Sequence, residues 1–370
     1  MIFTCNTAEL HKAVQTVMSA IPSKPSTPIF GGLHLIADYG VIELQGMDIS
    51  MAMSFKIKGD IKEPGEILLA ATRFAELVKN MNGETLSLSR KEEENSVRLQ
   101  SGKADFKILL MNVADYPKFP DFNADKTFTL ADETVKELFK KTAFACSNDA
   151  ARPLFTGVLC ELSEGKITFV GTNTHRLAIK SLAHESKENL SIIIPAVILK
   201  EINKNLNGKL PQEVKLSLLN NQLMVVIDEL VIVSRLIEGK FPDYKRVIPP
   251  SFSVKTKVNA KELAGAVQRV SLCSGDETDY SIIKIKIDEN ELTVLSSSPD
   301  VGTGEEKIPC HTDGERLNVA FNATYILDIM NNIEDEEATL EMNNSLSPVC
   351  IRPVGEKDYT YIVTPVRVIF

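Results

Sequence analysis

Two hydrophobic periods take turns along the chain, and they do so at regular intervals. From Phe3, "FTCNTAELHKAVQTVMSA" opens as a short strand pattern and becomes a helix pattern whose apolar positions are Leu10, Val14, Val17 and Met18. From Phe128, "FTLADETVKELFKKTAFAC" does the same with Val135, Leu138, Phe139 and Phe144. A third copy, "FSVKTKVNAKELAGAVQRVSLC", starts at Phe252. Each copy has a second helix pattern, in segments beginning at Ile67, Ile192 and Leu317, 125 residues apart. Leu44, Phe169 and Val294, in strand patterns between the helices, keep the same interval of 125. Alternating runs such as 85–89 and 214–218 come after the second helix.

The predicted unit is therefore β-α-β-β-β-α-β-β-β, an α+β domain present in three tandem copies at 1–122, 123–250 and 251–370. Two helices side by side on antiparallel sheets bury the apolar faces of both. Proline-aromatic segments, "ADYPKFPDF" at 114–122 and "EGKFPDYKRVIPP" at 238–250, read as linkers into the next copy.

Composition adds exclusions. The apolar fraction of 44% and charged fraction of 25% are those of a soluble globular protein. The chain shows neither a secretory leader nor a run long enough to span a bilayer, so a cytoplasmic, nucleoid-associated protein is expected. Six cysteines (5, 146, 160, 273, 310 and 350) lie far apart without CxxC spacing, and Cys310-His311 lacks a second ligand pair, so neither disulfides nor a metal is expected. No cofactor motif is present. A net charge of -9 argues against a surface that coats nucleic acid all over, but not against one basic face.

One stretch invites a catalytic reading. "GTNTHRLAIKS", 171–181, sets His175 beside Arg176, a proton carrier beside an anion holder. Yet the chain has no GxSxG elbow, no HExxH and no phosphate loop, and the matching turns of the other copies, "GMDISMA" and "SSSPDVG", hold no histidine. A structural histidine is the plainer reading. A hydrolase using His175 with Asp149, and a repeat scaffold without a DNA role, stand as alternatives.

"TNTHRLA" at 172–178, "FPDYKRVIP" at 241–249, "FNATYILDIM" at 321–330 and the terminal "YIVTPVR" at 361–367, in that order along a chain of this repeat and length, resemble the bacterial β sliding clamps. Those are the processivity factors of replicative DNA polymerases. The resemblance implies a non-catalytic, head-to-tail homodimer that closes a ring of six domains around duplex DNA, lined by twelve helices. The six helices expected here, 7–20, 71–82, 130–147, 196–206, 259–273 and 322–333, carry ten basic and eight acidic residues. They sum to +2, which leaves -11 on the remainder. Contacts to phosphates alone are independent of sequence and permit sliding.

By the same resemblance, Lys24 in "PSKPSTP", Arg73, and Asp149, Pro153 and Leu154 in "SNDAARPLF" fall where the family meets DNA, although an acid at 149 departs from that role. A groove for a short extended peptide from the polymerase, the clamp loader and repair proteins is implied at Phe155, Thr172, His175, Arg176, Leu177, Pro242, Arg246, Val247, Asn322, Tyr325, Leu346, Pro348, Ile362, Thr364, Pro365, Val366 and Arg367. Aliphatic and proline walls suit an inserted leucine or phenylalanine, with arginine and asparagine at the rim. Phe106, Ile108 and Leu272 are implied at the dimer seam, the first two against the partner's 282–287 strand. Val368-Ile369-Phe370 extends past the family's usual end, and Phe370 is considered as a segment folding back near the groove.

Overall fold

The computed structural model describes residues 1–91, 94–121, 126–185, 189–206, 211–274 and 281–368. The first repeat runs β1 (Ile2–Asn6), α1 (Thr7–Val17), β2 (Gly32–Asp38), β3 (Val41–Met47), β4 (Met51–Lys58), β5 (Asp60–Glu63), β6 (Gly65–Ala70), α2 (Ala71–Lys79), β7 (Thr85–Ser89), β8 (Ser96–Ser101) and β9 (Ala104–Met111). The second runs β10 (Lys126–Ala131), α3 (Asp132–Thr142), β11 (Gly157–Ser163), β12 (Lys166–Thr172), β13 (Arg176–Ala183), β14 (Leu190–Pro195), α4 (Ala196–Asn205), β15 (Glu213–Leu219), β16 (Gln222–Ile227) and β17 (Leu230–Arg235). The third runs β18 (Val254–Asn259), α5 (Ala260–Ser271), β19 (Ile282–Ile287), β20 (Glu291–Ser298), β21 (Gly302–Asp313), β22 (Leu317–Asn322), α6 (Ala323–Met330), β23 (Glu337–Met342), β24 (Val349–Pro353) and β25 (Tyr359–Val363).

All six expected helices are present, shorter at their ends. The strand count between the helices differs from expectation: four in the second and third repeats and five in the first, where three were expected. The extra strand in every copy is the apolar run just before the second helix, such as Ile67–Leu69, whose period of two was hidden because all three side chains are buried.

Helix starts follow local chemistry. The Asn6 side chain accepts from the Ala8 and Glu9 N–H groups, and Asn259 from those of Lys261 and Glu262, each with a glutamate in the first turn of its helix. Leu10, Val14 and Val17 are fully buried on α1, as are Leu263, Ala266 and Val267 on α5. Each large apolar side chain so buried contributes about 1.5–3 kcal/mol.

The chain forms two compact units, Met1–Val135 with Glu201–Leu236, and Lys136–Lys200 with Ile237–Phe370. Each has one long antiparallel sheet. In the first unit thirteen strands run β10-β15-β16-β17-β4-β3-β2-β6-β9-β8-β7-β1-β5, with β17 of the second repeat paired to β4 of the first. In the second unit twelve strands run β14-β11-β12-β13-β25-β24-β23-β18-β21-β20-β19-β22, with β13 of the second repeat paired to β25 of the third. Both pairings join the same two positions of the repeat. No helix among the described residues is long and apolar enough to cross a membrane.

Candidate functional site

The turn between β12 and β13 is built by side chains that satisfy its own backbone. Asn173 Oδ1 accepts from the His175 and Arg176 N–H groups, and Thr172 Oγ1 donates to the Arg176 carbonyl. Thr174 is pressed to φ +78, a left-handed conformation that is strained for a β-branched residue. Gly171 is required next to the turn: a Cβ there would lie 2.2 Å from the Thr142 carbonyl at the end of α3. The His175 carbonyl accepts from the Thr364 N–H, which ties the turn to the end of β25.

Beside this turn lies a cavity of 230 Å³, lined by Phe155, Thr172, Thr174, His175, Arg176, Leu177, Phe241, Pro242, Asp243, Tyr244, Val247, Pro348, Ile362 and Thr364. Its floor is continuous with an apolar cluster of Leu159, Val170, Leu177, Ile193, Cys350 and Ile362. Phe155 and Phe241 meet edge to face at 6.5 Å. The Tyr244 hydroxyl donates to Glu161 at 2.8 Å; burial, reinforced by that carboxylate, pushes its pKa above the ordinary value. Burial likewise pushes the Cys146 thiol, behind Gly171, up to about 12, so it stays protonated. The chemistry offered is an open apolar slot with a few fixed polar groups and no described nucleophile–base pair.

Ten of the residues expected at a groove line this cavity: Phe155, Thr172, His175, Arg176, Leu177, Pro242, Val247, Pro348, Ile362 and Thr364. The others lie elsewhere. Asn322 is buried and caps α6 through the Thr324 N–H, and the Tyr325 hydroxyl accepts from Asn173 behind the turn. Arg246 is exposed and paired with Asp243. Leu346 is half exposed and, like Pro365, Val366 and Arg367, is outside the lining; the Val366 N–H donates to Ala320 on β22. Thr174, Phe241, Asp243 and Tyr244 were missed, although the turn holding Thr174 and the aromatics flanking Pro242 in "FPDY" were the available signals. Residues 369–370 lie outside the described set.

Arg176 differs most from expectation. Its side chain is 9% exposed and points away from solvent, pairing with Asp328 of α6 and donating to the Phe144 carbonyl. It is a buried bolt and not a rim charge.

The hydrolase alternative finds no geometry. Asp149 accepts from the Ala151 N–H and pairs with Arg152, and these hold its pKa below the ordinary range. Among the described residues no three His, Cys, Asp or Glu side chains are placed to hold a metal.

Of the positions expected at DNA, Lys24, Arg73, Asp149 and Pro153 are exposed, whereas Leu154 packs on the apolar cluster under the cavity. Lys141, counted among the lining charges, is 3% exposed and bound inside the second unit to Glu356 and the Asn332 carbonyl. Phe106 and Leu272 are 40% and 77% exposed, while Ile108 packs on the first repeat's core. The strand expected to receive them, β19, is paired on both edges, by β20 and β22, and has no free edge to offer.

Family models match in series along the chain: the N-terminal domain of the DNA polymerase III beta subunit at 1–120, its central domain at 129–243 and its C-terminal domain at 245–367. The chain belongs to the DNA polymerase III beta subunit family. It is thus a sliding clamp, a processivity subunit without a catalytic site of its own, and its three repeats are clamp domains. A beta sliding clamp of Staphylococcus aureus is 26% identical over 377 residues, covering 99% of each chain. Among solved structures, the sliding clamp of Bacillus subtilis superposes with a TM-score of 0.95 at 25% identity, covering 100% of both chains. The clamp of Bartonella birtlesii, solved bound to griselimycin, gives 0.94 at 25% identity, again with 100% of both chains covered.

Proposed function

We propose that two copies of this chain close head to tail into a ring around duplex DNA, with domains at 1–122, 123–250 and 251–370. The ring tethers the replicative polymerase, the clamp loader and repair proteins through the cavity beside His175, in the cytoplasm on nucleoid DNA. The carrying observation is a pair of unmatched strand edges. β17 pairs with β4, and β13 with β25. The third pair that the repeat calls for is β21 with β9, and over Ala104–Leu109 no described strand covers the edge of β9 opposite β8. The edge of β21 opposite β20 is likewise uncovered over 302–309. Uncovered edges of this kind pair with another chain.

Hairpin ends supply the register. Ala104, at the start of β9, matches Leu230, which faces Phe55 on β4. Thr303, opposite Ser297, matches Ala52, opposite Met47. Counting on, Phe106 faces Gly304 of the partner copy, Lys107 faces Thr303, and Ile108 faces Gly302. A bare glycine opposite an exposed aromatic ring gives that ring a surface to cover. This replaces β19 with β21 as the receiving strand and sets Leu272 beside it.

DNA is held by charge alone, with Lys24 and Arg73 the proposed phosphate contacts and Asp149 withdrawn from that role by its pairing with Arg152. Griselimycin, bound to the Bartonella relative, is a ready probe of the cavity. The seam is tested by Lys107→Cys with Thr303→Cys. Oxidation is expected to give a species of twice the 40.8 kDa chain. A 40.8 kDa monomer under both oxidised and reduced conditions would overturn the ring.

A further inference from the structure

The cavity wall formed by the 173–176 turn is fixed from behind, by the helix that follows β22. Arg176 sends one arm to the Asp328 carboxylate on α6 and another to the Phe144 carbonyl beyond α3. Its guanidinium lies 4.6 Å from the Tyr325 ring centre and 5.7 Å from that of Phe144. Tyr361 closes the stack at 5.9 Å from Phe144, and its hydroxyl donates to the Tyr325 carbonyl. Asn173, which shapes the turn, also donates to the Tyr325 hydroxyl at 3.2 Å. A planar guanidinium with two acceptors and two aromatic faces has one orientation available, which a lysine ammonium does not share.

That anchorage matters because the turn carries strain. Thr174 holds its left-handed conformation only while the turn around it is pinned, and the side chains of Asn173 before it and Arg176 two residues after it end at Tyr325 and Asp328. Resting on the groove reading above, we infer that Arg176 is a positioning residue for the groove, and that Asp328, which lies outside the cavity lining, sets ligand affinity through it. The ligand class is the apolar peptide type already proposed. The new element is a control point on α6.

The test uses the full chain and griselimycin as probe, with affinity read by calorimetry. Asp328→Asn leaves every lining side chain in place and is expected to weaken binding about tenfold, because Arg176, the buried member of the pair, loses its charged partner. Arg176→Ala is expected to weaken it similarly, and the double variant no further than the weaker single, because both act through one bond. Methylguanidinium at millimolar concentration is expected to restore part of the affinity of Arg176→Ala, which a general loss of packing would not allow. Glu334→Gln, which breaks an exposed pair with Lys140 near the same helix end, is expected to change nothing. An Asp328→Asn chain that melts like the parent and binds within about twofold of it would overturn the inference, by the same bond arithmetic. So would additive single effects. Failure of the unaltered chain to bind griselimycin would instead overturn the groove reading itself.

Discussion

The two places where one repeat joins the next have the same framework and opposite outcomes. In the first unit, Met47, Ala52, Leu68 and Val233 form an apolar cluster with Phe30 and Met224 packed on it. In the second unit the equivalent positions are Thr172, Leu177, Ile193, Ile362, Phe155 and Cys350, and there they border an open cavity. Linker length makes the difference. From Met111, paired to Leu68, to Phe119 is eight residues, whereas from Ile237, bonded to Ile193, to Phe241 is four. The four additional residues bring Tyr116 into the site, 7% exposed and 5.3 Å from the His34 ring, with Phe119 packed beside it. A groove is thus the default product of this junction, and the first copy fills its own.

The junctions also differ in what fastens them. In the second unit, Lys141 and Lys180, each almost wholly buried, converge on Glu356, and Lys180 also meets Glu137. No comparable buried cation cluster occurs among the described residues of the first junction.

The largest effect expected from breaking this contrast comes from Tyr116→Ala. It should cost about 3–5 kcal/mol in urea unfolding and open in the first unit a cavity like the second's. Glu356→Ala should cost about 3 kcal/mol or more, because two buried lysines lose their shared carboxylate. The same cluster sets a pH dependence. Burial, the largest single influence on Lys180, pulls its pKa down, but hydrogen bonds to Glu137 and Glu356 outweigh it and the net shift is upward from 10.5. A raised pKa means the stabilisation is whole below the ordinary lysine value and is lost as pH rises through the folded one. The urea midpoint of the parent should therefore fall more steeply above pH 10.5 than that of Lys180→Met. The smallest effect is expected from Thr174→Gly, a gain of up to about 1 kcal/mol as backbone strain is released, with weaker griselimycin binding because the turn loosens.

Much of this was legible in the chain. Apolar spacing gave all six helices because each presents one buried face to a sheet. The repeat located the turn, and the resemblance to sliding clamps implied Leu177, Val247 and Ile362 beside it, whose apolar character suits a cavity wall. What escaped depends on contacts between distant residues. Arg176 reads as a rim charge until Asp328, 152 positions away, is brought against it. Lys141 reads as a lining charge until Glu356, 215 positions on, turns it inward. Tyr116 and Phe241 sit in linkers that look alike, and only the pairing of Met111 and Ile237 to their strands shows that the two linkers are of different lengths.

The central claim is a topological hold on DNA. The chain would be loaded onto nicked circular DNA with a clamp loader from a relative, washed in moderate salt, and the DNA then cut once. Retention on the circle and release on cutting is the result predicted for a ring held by closure, with weak, screened contacts to phosphate. Retention on the linear product, lost evenly as salt rises, would mean that direct affinity holds the protein, and would contradict the account.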